Sequence, residues 1–187
     1  MRLNKDFFEQ DVLKVAPALI GKFIVRKFPD NTISKFLITE TEAYRGEEDL
    51  ACHASKGRTP RTEVMYKSGG YLYIYLIYGM YWMLNIVTEK ENNPQAVLIR
   101  GIDVANGPGK LSKVLNIDKS FNNHYIPTSD SFWIEDNKTK VKIINSKRIG
   151  IDYAGDYWKN MQWRFLLDES PPKSLFLPQS GVLSLPK

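Results

Sequence analysis

The sequence predicts an α+β fold in one domain, residues 1–187, with a curved antiparallel or mixed β-sheet core and short surrounding helices. Three observations carry this. Runs with strand character recur along most of the chain while helical periodicity is confined to a few short stretches. Tyr71 to Val87 is an uncharged run interrupted only by Tyr78-Gly79, as a core hairpin would be. At 187 residues and 43% hydrophobic, with no Gly/Ser linker and no repeat, the chain fills one core.

The chain opens with Val12, Val15, Ala16, Leu19 and Ile20 spaced three and four apart after Asn4-Lys5-Asp6-Phe7-Phe8, one short amphipathic helix stopped by Gly21. Lys22 to Lys27 and Lys35 to Tyr44 follow as strands around the turn cluster Pro29-Asp30-Asn31. The second strand ends with an unusual polar load. Its pleat puts Glu40, Glu42 and Tyr44 on one face and Thr39, Thr41 and Ala43 on the other. Carboxylates at i and i+2 can serve as acid and base, but a solvated strand edge is the plainer account, and spacing does not choose between the two glutamates.

Periodicity is lost from Glu47 to Gly70. Glu47-Glu48-Asp49 caps a short helix leading to His53, and Lys56, Arg58, Arg61 and Lys67 are then opposed only by Glu63. This long basic loop either clamps phosphates or is a solvated connection, and the charge pattern favours neither. Cys52 and His53, with His124 the only other histidine, are too few for a metal site, and no cofactor is expected.

In the central run Tyr71, Tyr73 and Tyr75 alternate with Leu72, Ile74 and Leu76, a strand between two differently lined faces. The run is short for the roughly 20 residues of a membrane helix, and Asn85 and five tyrosines speak against lipid. Most of it reads as core, but Tyr78 beside the turn has little core to enter and suits a surface wedge. After a polar turn at Glu89 to Pro94, Gln95 to Ile102 is a buried strand whose Arg100 needs a counter-charge or a polyanion. Asn106-Gly107-Pro108-Gly109-Lys110-Leu111 is a glycine-rich turn feeding a short helix. It lacks the Walker spacing, which leaves room for a grip on a single phosphate. Phe132-Trp133-Ile134, the alternation around Val141 and Ile143, and Trp163 to Leu167 supply the last strands. Pro171-Pro172 stops the final strand, and the tail from about residue 170 packs loosely.

A net charge of +5 and a pI near 9.1 suit a polyanionic partner. The single cysteine rules out an internal disulfide and suits a reducing cytosol, and no secretory leader pattern is expected.

Several ordered motifs together are similar to the alkyladenine family of DNA-3-methyladenine glycosylases. They are Thr41-Glu42-Ala43-Tyr44 with His53, Thr59-Pro60-Arg61, Tyr73 through Tyr81 with Asn85, Leu98-Ile99-Arg100, Gly107-Pro108-Gly109-Lys110-Leu111, Arg148-Ile149-Gly150 and Trp163-Arg164-Phe165. The likeness runs from Phe7-Phe8 to Phe165, and it implies a curved sheet with a protruding β-hairpin. It also implies a monofunctional enzyme, a monomer of the cytoplasm or nucleoid, that acts on double-stranded DNA containing damaged purines. Such purines are 3-methyladenine, 7-methylguanine, hypoxanthine and ethenoadenine, flipped out and hydrolysed from the sugar without strand cleavage.

By the same resemblance Glu42 is the general base, Tyr44, His53 and Tyr75 wall the flipped base, Asn85 excludes guanine and Arg100 stands at the pocket side. Tyr78 is the intercalating wedge, and Arg45, Arg58, Arg61, Lys67 and Lys110 contact phosphates. Position 45 is Arg where members often carry an apolar residue, which bears on phosphate contacts and substrate breadth. The rival expectation is a catalytically idle nucleic-acid-binding module like the terminal domain of formyl-transferring enzymes.

Overall fold

A computed structural model describes residues 1–168; the expected loose tail lies outside the described residues. The predicted opening helix is two: α1 (Lys5–Phe8), capped by the Asn4 side chain, and α2 (Val12–Leu19), capped by Asp11 accepting from Leu13 N. The reason lies outside the helix. Glu89 N donates to both Phe8 O and Gln10 O, and Gly69 approaches so closely that a Cβ there would sit 2.3 Å from Phe8 O. Those contacts pull the connecting backbone out of helical register. Gly21, at φ 80°, ends α2 as expected.

The strands are β1 (Phe23–Lys27), β2 (Ile33–Arg45), β3 (Leu72–Ile77), β4 (Tyr81–Thr88), β5 (Gln95–Ile102) and β6 (Ala105–Asn106). After α3 (Pro108–Val114) come β7 (Phe132–Glu135), β8 (Ile143–Ser146), α4 (Gly155–Lys159) and β9 (Arg164–Leu167). They join one sheet in the order β3-β4-β5-β2-β1-β7, and every pairing is antiparallel, which settles the antiparallel-or-mixed alternative.

The long β2 organises the sheet. Its first half pairs with β1 and its second half with β9 on the same edge, while β5 runs along the other edge. The register of β2 against β5 slips between Ile38 and Thr41, at the junction of the two halves. Gly101 stands opposite the slip, where a Cβ would come within 2.9 Å of Thr39 Oγ1.

The basic loop folds down onto the sheet. Its two 3-10 turns, His53–Lys56 and Glu63–Tyr66, bury Ala54, Val64 and Met65, which join Cys52 in packing with Tyr73, Val87 and Ala96. Asp49 does not cap a helix: it is fully buried, accepting from Ala51 N and from Arg148. Among the described residues no helix is long and apolar enough to cross a membrane.

Candidate active site

Residues paired across antiparallel strands project from the same face of a sheet. One such row crosses four strands as Leu72, Ile86, Val97 and Ala43, and its side chains join the core that α2 covers. The neighbouring row crosses the same strands as Tyr73, Asn85, Leu98 and Glu42 and ends on Arg164 of β9. On that opposite face opens a cavity of about 540 Å³, within the range of small-molecule sites. Tyr44, His53 and Tyr75 line its sides, Asn85, Leu98 and Arg100 its floor, and Tyr78 and Tyr153 also border it.

Glu42 lies just beneath this lining with 0% of its surface exposed. Its Oε2 accepts from Tyr44 OH at 2.9 Å and its Oε1 from Ile149 N at 2.8 Å, with Arg100 Nε 3.5 Å from Oε1. Burial pushes the Glu42 carboxyl above the ordinary carboxylate range, and Arg100, the Ile149 N–H and the Tyr44 hydroxyl hold part of that rise back. Glu40, two residues earlier, is committed otherwise. Its Oε1 is shared by Arg100 Nε at 3.0 Å and Arg164 Nε at 2.6 Å, so two guanidiniums hold it. Spacing treated the two glutamates alike; their partners separate them, and Arg100 finds its counter-charge in both.

The aromatic wall is itself hydrogen-bonded. His53 Nδ1 is 2.9 Å from Tyr73 OH, and its ring meets that of Tyr75 at 4.6 Å between centroids. Burial, and then the nearby charge of Arg61, lowers the His53 pKa to about 4, so the imidazole is neutral at pH 7. Desolvation raises the Tyr44 phenol well above its usual value, which keeps it a proton donor to Glu42. Asn85, one of the lining residues, spends its Nδ2 donors on the carbonyls of Tyr73 and Met83.

At the hairpin tip Tyr78 adopts φ 50° and is 85% exposed, with Met80 beside it also exposed. The expected phosphate contacts fall into two groups. Arg45 is held by Asp11 and Glu48, and Arg58 by Glu63 through two hydrogen bonds. Arg61 pairs with no carboxylate among the described residues and lies over the Tyr75 ring; Lys67 lies over Tyr71, and Lys110 is exposed on α3.

The sequence assigns no part in the site to Arg148, Ile149, Tyr153 or Arg164, and it reads Asp49 only as a helix cap. Arg148 and Asp49 form a fully buried ion pair 99 residues apart in the chain, a separation no local pattern reveals. The available signals are the Arg148-Ile149-Gly150 and Trp163-Arg164-Phe165 motifs, which name the residues and not their partners.

The family model described as Methylpurine-DNA glycosylase (MPG) matches residues 6–105 and 101–171. A protein of Desulfitobacterium hafniense named "Putative 3-methyladenine DNA glycosylase" is 39% identical, the match covering 90% of this chain and 96% of the relative. Proteins with the same name from Legionella pneumophila and Methanocella arvoryzae are 44% and 41% identical, over 91% and 90% of this chain and 96% and 94% of theirs.

Proposed function

The chain belongs to the methylpurine-DNA glycosylase family, and from that premise we propose that it flips an alkylated or otherwise damaged purine out of duplex DNA into the cavity and hydrolyses its N-glycosidic bond. The observation that carries this reading is the buried, singled-out Glu42 under an aromatic cavity, with an exposed tyrosine at the rim. An idle binding module has no use for that combination.

In this reading Glu42 takes a proton from a water molecule whose oxygen attacks C1′ of the sugar, and the bond electrons leave with the base. The raised pKa of Glu42 makes it a stronger base than an exposed carboxylate, while the negative charge also stabilises the cation-like sugar. Tyr44 OH occupies one acceptor site of Oε2 and Ile149 N–H one of Oε1, and the second acceptor site of Oε2 is left to take the proton of the attacking water. A purine alkylated at N3 or N7 carries positive charge. Stacking between Tyr44, Tyr75 and a neutral His53 attracts such a base, where a protonated histidine would repel it. Neutral hypoxanthine or ethenoadenine needs a proton on the departing base and gains less from that stacking.

Tyr78 fills the gap left in the stack, and Arg61, Lys67 and Lys110 reach phosphates without first releasing a carboxylate partner. Arg45 and Arg58 reach phosphates only by exchanging theirs. Among the described residues no lysine lines the cavity to form a Schiff base, so in this reading the product is an abasic site in an intact strand, the opening step of base excision repair. The test uses duplexes carrying 7-methylguanine, ethenoadenine or hypoxanthine. Strand breaks at the lesion are expected only after alkali treatment; no break on any duplex after alkali removes the proposal.

A further inference from the structure

Behind the Tyr44 ring, away from solvent, lies the Asp49–Arg148 pair. Arg148 Nη1 contacts Asp49 Oδ2 at 2.5 Å and Nη2 contacts Oδ1 at 2.9 Å, and both side chains are wholly buried. The same Nη1 donates to Ala43 O at 2.9 Å, and Asp49 Oδ2 accepts from Arg45 N at 3.1 Å. The pair thus grips the backbone of β2 on both sides of Tyr44. The guanidinium is also sandwiched, its Cζ 4.9 Å from the Tyr44 ring centre and 5.0 Å from that of Trp163. Arg148 is followed directly by Ile149, whose N–H binds Glu42.

We propose that the Asp49–Arg148 pair is a positioning clamp for the general base, fixing the Tyr44 ring and the Ile149 N–H, the two groups that hydrogen-bond the Glu42 carboxylate. Arg148 does not touch Glu42; it acts through those neighbours, and the inference rests on the glycosylase reading only for the meaning of the rate. A buried ion pair is poor evidence of stability for its own sake, because desolvating two charges costs about as much as their attraction returns. Here the pair holds Ala43 O and Arg45 N on either side of Tyr44 and Ala51 N in the cavity lining, with one longer bond, at 3.4 Å, from Arg148 Nη2 to Trp158 O on α4. Geometry of this kind matters to rate, since a misplacement of about 1 Å can cost on the order of a hundredfold.

Weakening the clamp loosens two donors that favour ionised Glu42, so the Glu42 titration moves to higher pH. The other groups facing Glu42 are Glu40 on its own strand, Arg100 on β5, Arg164 of β9 on Glu40, Tyr75 on β3 and Tyr153. None is altered by the variants that follow.

The test compares the parent with Asp49→Asn/Arg148→Gln, which removes both buried charges together, and with Trp163→Leu, which removes one side of the sandwich and no charge. Two readouts are taken: the titration of the Glu42 carboxyl carbon by NMR in the free protein, and single-turnover release of 7-methylguanine. In the double variant the titration is expected to rise by about half a pH unit or more and release to slow by about tenfold or more, with duplex affinity near the parent's. Trp163→Leu is expected to move both in the same direction by less, and it decides the matter alone if the double variant does not fold. Parent-like titration and rate in Trp163→Leu overturn the clamp even if the double variant shifts, because that shift is then the lost charge acting at a distance. A parent that releases no base overturns the glycosylase reading, and the free-protein titration still decides the clamp.

Discussion

On one face of the sheet Leu72, Ile86, Val97 and Ala43 line up across four strands and bury only hydrocarbon. One residue along, on the other face, Tyr73, Asn85, Leu98 and Glu42 line up across the same strands and bury an amide and a carboxylate. The strands, their pairing and their depth are shared; the period of two is the whole difference. Burying Glu42 is unfavourable by itself, as its raised pKa records, so the cavity face holds a group that folding alone would not select. Under the proposed function stability belongs to the first face and chemistry to the second, and substitutions on each can break that division.

The largest effect is expected at Glu42. Glu42→Gln keeps the shape and loses the proton acceptor, so base release should fall by about 10² to 10⁴-fold while lesion-duplex binding stays within about tenfold. The stability cost of Glu42 also has a sign. A carboxyl whose folded pKa lies above its unfolded one loses stability as pH rises from the unfolded value through the folded one, so the raised pKa of Glu42 is a penalty at neutral pH that Glu42→Gln lacks. Parallel unfolding curves at pH 7 check this against the neighbours the amide disturbs.

On the core face, Leu84→Ala should lower unfolding stability by about 2 to 5 kcal/mol and leave release per folded molecule unchanged. A large loss of rate by molecules that remain folded would merge the two faces.

The hairpin joins both faces and then leaves them at its tip. Tyr78→Ala should leave stability within about 1 kcal/mol and slow excision from a paired lesion by about tenfold, with a smaller loss opposite a mismatch or gap, where less unstacking must be offset. A large stability loss with unchanged excision would place Tyr78 with the core instead. The smallest effect separates two arginines of one loop. Arg61→Ala should lower the slope of log affinity against log salt by about 0.9, the value for one phosphate contact. Arg58→Ala should lower it less, because Glu63 already neutralises Arg58.

Much of this was legible because period two survives in sequence. Tyr73 and Tyr75 alternate with Leu72 and Ile74 in the chain as they do across the sheet, and Glu40, Glu42 and Tyr44 share a face as their spacing says. What spacing cannot carry is partnership. Which glutamate stays free of a tight guanidinium depends on Arg164, 124 residues from Glu40. Asp49 reads locally as one more acid in a capping run and is claimed instead by Arg148. The opening helix divides because Gly69 and Glu89, far along the chain, dock against it.

The most direct test of the account is the pH dependence of single-turnover 7-methylguanine release, a substrate whose cationic base departs without needing a proton. One acid limb is predicted, rising with pH to a plateau, with its midpoint above the ordinary carboxylate value of 4.5 and absent from the residual activity of Glu42→Gln. His53, with a pKa near 4, adds no limb above it. A flat profile in the parent, or the same limb persisting in Glu42→Gln, would contradict Glu42 as the base.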